Sequence, residues 1–235
     1  MTEPLVLLHG FGGTHRGWDG VLEHLPPERY RPVITPDLPG HGERGALRPI
    51  TWQACVDSVL ADAPTEPFVL CGYSLGGRVA QHVALAAPQR VSRLVLVSTT
   101  AGVDDAAERA ARDDELAAEL EQMQPDAFAD RWQQQAIFED TPPTALSSWR
   151  EDLMRNDPAD LAAALGALSP GRMTPMWDAI GALEIPLTVV VGERDERYRT
   201  FASRYLGAQV VVVPGAGHGL PREAPAAVAA AIAVS

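Results

Sequence analysis

A chain of 235 residues with 46% hydrophobic and 21% charged side chains is long enough to bury about 70% of its unfolded surface as one domain, which excludes disordered and fibrous classes. The 31 acidic residues outnumber the 19 basic ones, and a formal charge of −12 argues against a nucleic-acid partner, because phosphate contacts need a clustered basic surface. All the basic residues are arginine, the side chain best suited to gripping carboxylates.

The opening MTEPLVLLHG has no basic leader and no apolar run of membrane-spanning length, so a soluble cytoplasmic protein is expected. Leu5–Leu8 predicts a first strand, followed by His9-Gly10-Phe11-Gly12-Gly13. Val33–Thr35 predicts a second, running into PDLPGHG, and Phe68–Cys71 a third, running directly into Gly72-Tyr73-Ser74-Leu75-Gly76 and then a helix pattern, RVAQHVALAAP. Leu94–Val97 predicts a fourth strand. From Ala101 to about Trp177 no strand-like run occurs; the text turns Ala-, Asp-, Glu- and Gln-rich with helical spacing, too long for a simple connection. Leu187–Val191 and Val210–Val213 complete the set, ending at GERD and PGAGHG. The two cysteines, Cys55 and Cys71, have neither metal-ligand spacing nor a redox pairing.

Apolar runs without polar alternation suit strands buried on both faces, and their alternation with helices predicts an α/β fold with a mostly parallel, doubly wound sheet. The expected organisation is one domain over residues 1–235, with a helical cap inserted at about 101–178. In such sheets ligands gather beyond the carboxyl ends of the strands, where every motif above begins.

G-x-S-x-G between a strand and a helix is a sharp turn that exposes a serine oxygen, so Ser74 is the candidate reactive residue. A serine of this kind needs a base. His24 and His82 fall within helical patterns, His15 in a polar loop, and His9 and His41 in glycine turns where an imidazole fixes the loop. His218, on a loop of small residues after the last strand, is the candidate base. Asp195, on the turn after Leu187–Val191, is the candidate acid that would orient it, with Glu193 and Glu196 as rivals. The glycines after the first strand let backbone N–H groups turn inward, and Phe11 N–H with Leu75 N–H would form the oxyanion site. Arg78, four places after the serine, shares its helix face.

Through LLHGFGG, PDLPGHG, GYSLGG, GERD and GAGH the chain resembles the α/β-hydrolase superfamily over nearly all of its sheet portion. Within it, the chain resembles the menaquinone-pathway synthases that form 2-succinyl-6-hydroxy-2,4-cyclohexadiene-1-carboxylate. The features shared are GYSLGGRVA with Arg78, ERAARDDELA with Arg109, FADRWQQQAIF with Trp132, MRNDPADLAAAL with Arg155, and MTPMW ahead of GERDERY. This resemblance implies a lyase that eliminates pyruvate from 2-succinyl-5-enolpyruvyl-6-hydroxy-3-cyclohexene-1-carboxylate without metal or organic cofactor. It also implies that Arg78, Arg109 and Arg155 bind the carboxylates of a small polycarboxylate substrate, that Trp132 closes the pocket, and that Tyr73 adds a contact. Arg112 is an alternative to Arg109, and Arg150 to Arg155. Arg197 and Tyr198 stand where lysine and phenylalanine are expected, which leaves that wall of the pocket open. Two rival readings remain: a serine carboxylesterase or carbon–carbon hydrolase working through an acyl-enzyme, and a non-catalytic ligand-binding relative, which would be expected to lack part of the Ser/Asp/His set. A monomer or small homo-oligomer is expected.

Overall fold

The structure is a computed structural model, and it describes residues 2–234. Six strands form one sheet: β1 (Glu3–Leu8), β2 (Tyr30–Ile34), β3 (Phe68–Tyr73), β4 (Val91–Val97), β5 (Leu187–Gly192) and β6 (Gln209–Val213). Their order is β2-β1-β3-β4-β5-β6, and each neighbouring pair is parallel. The central runs are covered on both faces, with Leu5, Leu7, Leu8, Leu70, Leu94 and Leu96 wholly buried. That burial explains why these strands read as unbroken apolar runs.

The edges and strand starts depart from the sequence expectation, for physical reasons. β2 begins at Tyr30, earlier than Val33, because an edge strand tolerates Pro32, which has no N–H to give a second neighbour. β4 begins at Val91 through Ser92 and Arg93, polar residues that hid its first half. Arg93 is nonetheless buried, its guanidinium donating to the Tyr30 hydroxyl at 3.2 Å.

The longer helices are α1 (Trp52–Asp62), α2 (Leu75–Ala86), α3 (Ala106–Leu120), α4 (Pro125–Gln133), α5 (Pro143–Leu153), α6 (Pro158–Ala167), α7 (Glu196–Ala202) and α8 (Pro225–Ala233), of which α2, α7 and α8 pack directly on the strands. Thr51 caps α1 by accepting from Ala54 N–H at 3.0 Å, and Asp157 caps α6 by accepting from Ala159 N–H at 2.8 Å. Between β4 and β5 no strand forms among the described residues; α3 to α6 occupy that stretch. Cys55 and Cys71 are buried and unpaired, and burial pushes the Cys55 thiol up to about 12. Among the described residues no helix is long and apolar enough to cross a membrane.

The chain runs from β1 outward to β2, then returns to lay β3 on the other side of β1. This reversal opens a crevice beyond the carboxyl ends of β1 and β3, into which the residues following Leu8 and Tyr73 project.

Candidate active site

Ser74 sits between β3 and α2 with φ 49° and ψ −109°, a left-handed conformation that costs a non-glycine residue about 1–3 kcal/mol. The surroundings enforce it: Ser74 N–H donates to Val97 O at 2.9 Å, and its carbonyl accepts from the Thr99 hydroxyl at 2.7 Å. Gly76 is required for the same turn, since a Cβ there would lie 2.2 Å from the carbonyl oxygen of Leu8 and 2.5 Å from that of His9.

A hydrogen-bonded chain runs from this serine into the sheet. His218 Nδ1–H donates to Asp195 Oδ2 at 2.7 Å, which leaves Nε2 as the acceptor for the Ser74 hydroxyl at 3.2 Å. His218 and Asp195 are both buried, and Asp195 also caps α7 by accepting from Tyr198 N–H at 3.4 Å. The two loops meet because Gly192 has no side chain: a Cβ there would stand 2.1 Å from Gly217 O. Of the rival acids, Glu193 is exposed and takes Gly215 N–H at 2.8 Å, while Glu196 is exposed on the first turn of α7.

Leu75 opens α2 directly after the serine, where the first N–H groups of a helix have no acceptor within the helix. Phe11 is buried beyond the end of β1, with its ring 4.4 Å from that of Trp132. His9 anchors this loop, donating from Nδ1 to Gly10 O at 2.8 Å and accepting Leu38 N–H at Nε2 at 2.9 Å. Burial lowers the pKa of His9 and pushes that of His41, 5.1 Å away ring to ring, down to about 3.

Both imidazoles are therefore neutral in the fold, whereas in the unfolded chain they take up a proton below about pH 6.5. Their stability contribution is complete above that pH and is lost progressively as the pH falls towards about 3, where folded His41 itself titrates. Urea unfolding at pH 7 and pH 5 will show the wild type losing about 2 kcal/mol more than His41→Phe over that interval. Equal losses in the two proteins would disprove the assignment.

A cavity of about 80 Å³ lies against Ser74 and His218, and Tyr73, Arg78, Arg109 and Trp132 all line it. Arg78 is 6% exposed, and among the described residues no carboxylate lies within 4 Å of its guanidinium. Burial lowers its pKa to about 10, with the charge of Arg109 acting in the same direction, so it stays protonated at neutral pH. Three buried polar atoms on this wall have no hydrogen-bond partner among the described residues: Arg78 Nε, the Tyr73 hydroxyl and Trp132 Nε1. Arg109 spends its Nε on Asp113, at 2.9 and 3.0 Å.

Arg155 is not brought to this cavity. It is exposed and borders a separate surface groove, because Asp152 and Asn156 on either side of it turn inward and send it out. Its alternative, Arg150, does not line the cavity either and pairs with Asp130, while Arg112, the alternative to Arg109, pairs with Asp105 on the surface and leaves Arg109 as the one of that pair lining the cavity.

Sequence reasoning left Trp149, Phe138 and Ile137 out of the cavity, and all three line it. Trp149 falls on a buried stripe of α5 with Ala145 and Leu153, a helical period that marks an inward face without saying what the face meets. Tyr198 also lines the cavity, its ring 4.4 Å from that of His218. Two wider grooves, of about 510 and 310 Å³, adjoin at Ile137 and Tyr198.

Residues 5–231 match the family model described as the alpha/beta hydrolase family. The chain is 35% identical to the 2-succinyl-6-hydroxy-2,4-cyclohexadiene-1-carboxylate synthase of Enterobacter sp. (strain 638), over 97% of this chain and 90% of that protein. It is 33% identical to the synthase of the same name from Klebsiella pneumoniae (strain 342), over 97% and 92%. Among solved structures, MenH from S. aureus superposes with TM-score 0.89 at 27% identity, covering 99% of this chain and 92% of that one. A malate-bound thermophilic esterase from Thermogutta terrifontis superposes with TM-score 0.84 at 29% identity, covering 99% and 88%.

Proposed function

The chain belongs to the alpha/beta hydrolase family, and from that premise we propose that it catalyses the 2-succinyl-6-hydroxy-2,4-cyclohexadiene-1-carboxylate synthase reaction of menaquinone biosynthesis, eliminating pyruvate from the enolpyruvyl precursor. The observation that carries this reading beyond the family is Arg78. A guanidinium buried beside a reactive serine with no acid of its own is costly for a protein unless an anionic ligand completes it. Arg109 lines the same cavity and supplies a second guanidinium, whose Nε is paired with Asp113. The substrate carries three carboxylates, and the net charge of −12 does not repel it from a site this local, because surface charges are largely screened beyond about 8–10 Å.

In the reaction, the Ser74 hydroxyl gives its proton to His218 Nε2, and the serine oxygen takes the proton from the ring carbon beside the succinyl ketone. Asp195 holds the imidazole in the tautomer that allows this and steadies the imidazolium. The enolate charge on the ketone oxygen rests on the N–H groups of Phe11 and Leu75. As that charge returns, the ring double bond shifts and the bond from the ring carbon to the enolpyruvyl oxygen breaks. The leaving group takes the proton from His218 and departs as pyruvate, restoring the starting state.

Residues 101–178 act as a cap over the site, with Trp132 closing it from above. A cavity of about 80 Å³ is smaller than the roughly 300–1,000 Å³ of ordinary ligand pockets, so the cap shifts outward at Ile137, away from Tyr198 on α7, where the wider grooves adjoin, to admit the substrate. The enzyme works in the cytoplasm, in keeping with two buried, unpaired cysteines.

The malate-bound esterase among the structural relatives keeps ester hydrolysis as the second reading. A panel pairing the enolpyruvyl precursor with p-nitrophenyl esters separates the two. Pyruvate release at a kcat/KM at least about 10³-fold above that for any ester is expected, within the span of known enzyme efficiencies. Efficient ester cleavage with no pyruvate release would reverse the assignment.

A further inference from the structure

The buried stripe of α5 carries one residue that hydrophobic patterning would not place there. Asp152 lies with Ala145, Trp149 and Leu153 and is 3% exposed. It is fully engaged: Oδ2 accepts Thr14 N–H at 2.9 Å and an Arg222 guanidinium N–H at 2.6 Å, and Oδ1 accepts the Thr14 hydroxyl at 2.5 Å. The next turn of the chain adds Asn156, which donates to Gly12 O at 3.2 Å and accepts Gly42 N–H at 2.8 Å.

The partners of this carboxylate belong to the two loops that the elimination needs. Thr14 lies just beyond Phe11 on the loop after β1, and Gly13 N–H closes that loop onto Gly10 O at 3.0 Å. Arg222 lies one helical turn beyond His218, and its neighbour Glu223 accepts from the N–H groups of Gly217 at 2.7 Å and Gly219 at 2.9 Å, on either side of the histidine. The Arg222 guanidinium also covers the ring of Trp149, 5.4 Å from its centroid. One side chain on a cap helix thus reaches both the oxyanion loop and the segment that carries the base.

We propose that Asp152 is a positioning residue, whose carboxylate couples the docking of cap helix α5 to the placement of Phe11 N–H and His218 against Ser74. The proposal rests on the elimination reading for its natural substrate but not for its geometry. With α5 docked, the two loops are held in register by one shared acceptor; without that acceptor, each loop keeps its local bonds and loses its reference to the other.

The test compares Asp152→Asn, Thr14→Val and the double variant Asp152→Leu/Arg222→Met with the wild type. The measurements are kcat and KM for pyruvate release, the rate at which a fluorophosphonate labels Ser74, and Tm. Misplacement of about 1 Å costs as much as 10²-fold in rate, so Asp152→Asn and Thr14→Val are expected to lower kcat by about tenfold or more with KM within about threefold, and to slow labelling in parallel. The double variant, which replaces the buried pair with apolar side chains of similar size, is expected to recover Tm while kcat and labelling stay low. Wild-type turnover and labelling in the recovered double variant would overturn the proposal, as would a rise in KM at unchanged kcat in Asp152→Asn. If the wild type releases no pyruvate yet the variants label slowly, the assigned reaction fails and the positioning role stands.

Discussion

Ser74→Ala will lower kcat for pyruvate release by about 10³-fold or more while KM changes by less than about threefold, because in the proposed elimination the serine oxygen acts on the proton that moves in the transition state and not on the carboxylates by which the substrate would bind. Ser74, His218 and Asp195 are joined by hydrogen bonds of 3.2 and 2.7 Å, so their removal is not additive. His218→Ala will cost about as much as Ser74→Ala, and the double variant little more than either alone, as expected for groups that act as a unit. The same chemistry separates a proton-transferring serine from an acylated one. Rapid-quench and intact-mass measurements on the wild type will show neither a burst nor a covalent adduct with the natural substrate. A serine variant that keeps more than about a tenth of the wild-type kcat would remove Ser74 from the mechanism.

Arg78→Met will act on the substrate and on the fold in opposite directions. A charge-assisted bond from arginine to a carboxylate is worth about 1.5–3 kcal/mol, so kcat/KM for the enolpyruvyl substrate will fall by about 10- to 100-fold. Hydrolysis of a neutral acetate ester, where it is measurable, will fall at least about tenfold less, because such a substrate offers the guanidinium no carboxylate. Arg78→Lys will recover little, since an ammonium does not reproduce the planar fork. Meanwhile Tm will rise in Arg78→Met: the ligand-free fold buries a cation with no acid within 4 Å among the described residues, and an apolar side chain of similar length removes that cost. An unchanged KM and kcat together with a lowered Tm would make Arg78 a packing residue.

The difference between what was legible in the chain and what was not follows the range of the forces involved. The α/β class and the places of Ser74, Asp195 and His218 could be read because each depends on a local signal: an apolar run, a glycine that permits a turn, a helix start. Strand ends at β2 and β4 were obscured because Pro32 and Arg93 are acceptable only in the company of an edge and of Tyr30. Position after the strand favoured Asp195 over Glu193, and the structure adds the reason the two loops meet there: Gly192 lets the Gly217 loop approach.

The substrate side was less legible. Arg78 lies on the first turn after the serine, so helix geometry alone ties it to the site. Arg109 reaches the cavity, whereas Arg155 does not, and no pattern in the sequence separates them. Which face of α5 meets the loops carrying Thr14 and Arg222 is set by packing between segments far apart in sequence. That packing brings Trp149 to the cavity and Asp152 to Thr14 and Arg222, and turns Arg155 outward.

By itself, then, the sequence determined the class of fold, the strand-end positions of Ser74, Asp195 and His218, and the presence of an arginine beside the serine, since each is encoded within a few residues. Only the tertiary structure decided which of the inserted arginines faces the cavity, how small that cavity is, and which carboxylate joins the inserted helices to the two loops of the site. Those outcomes depend on how α3 to α6 dock onto the strand ends, where contacts between residues distant in the chain compete and local propensity has no say.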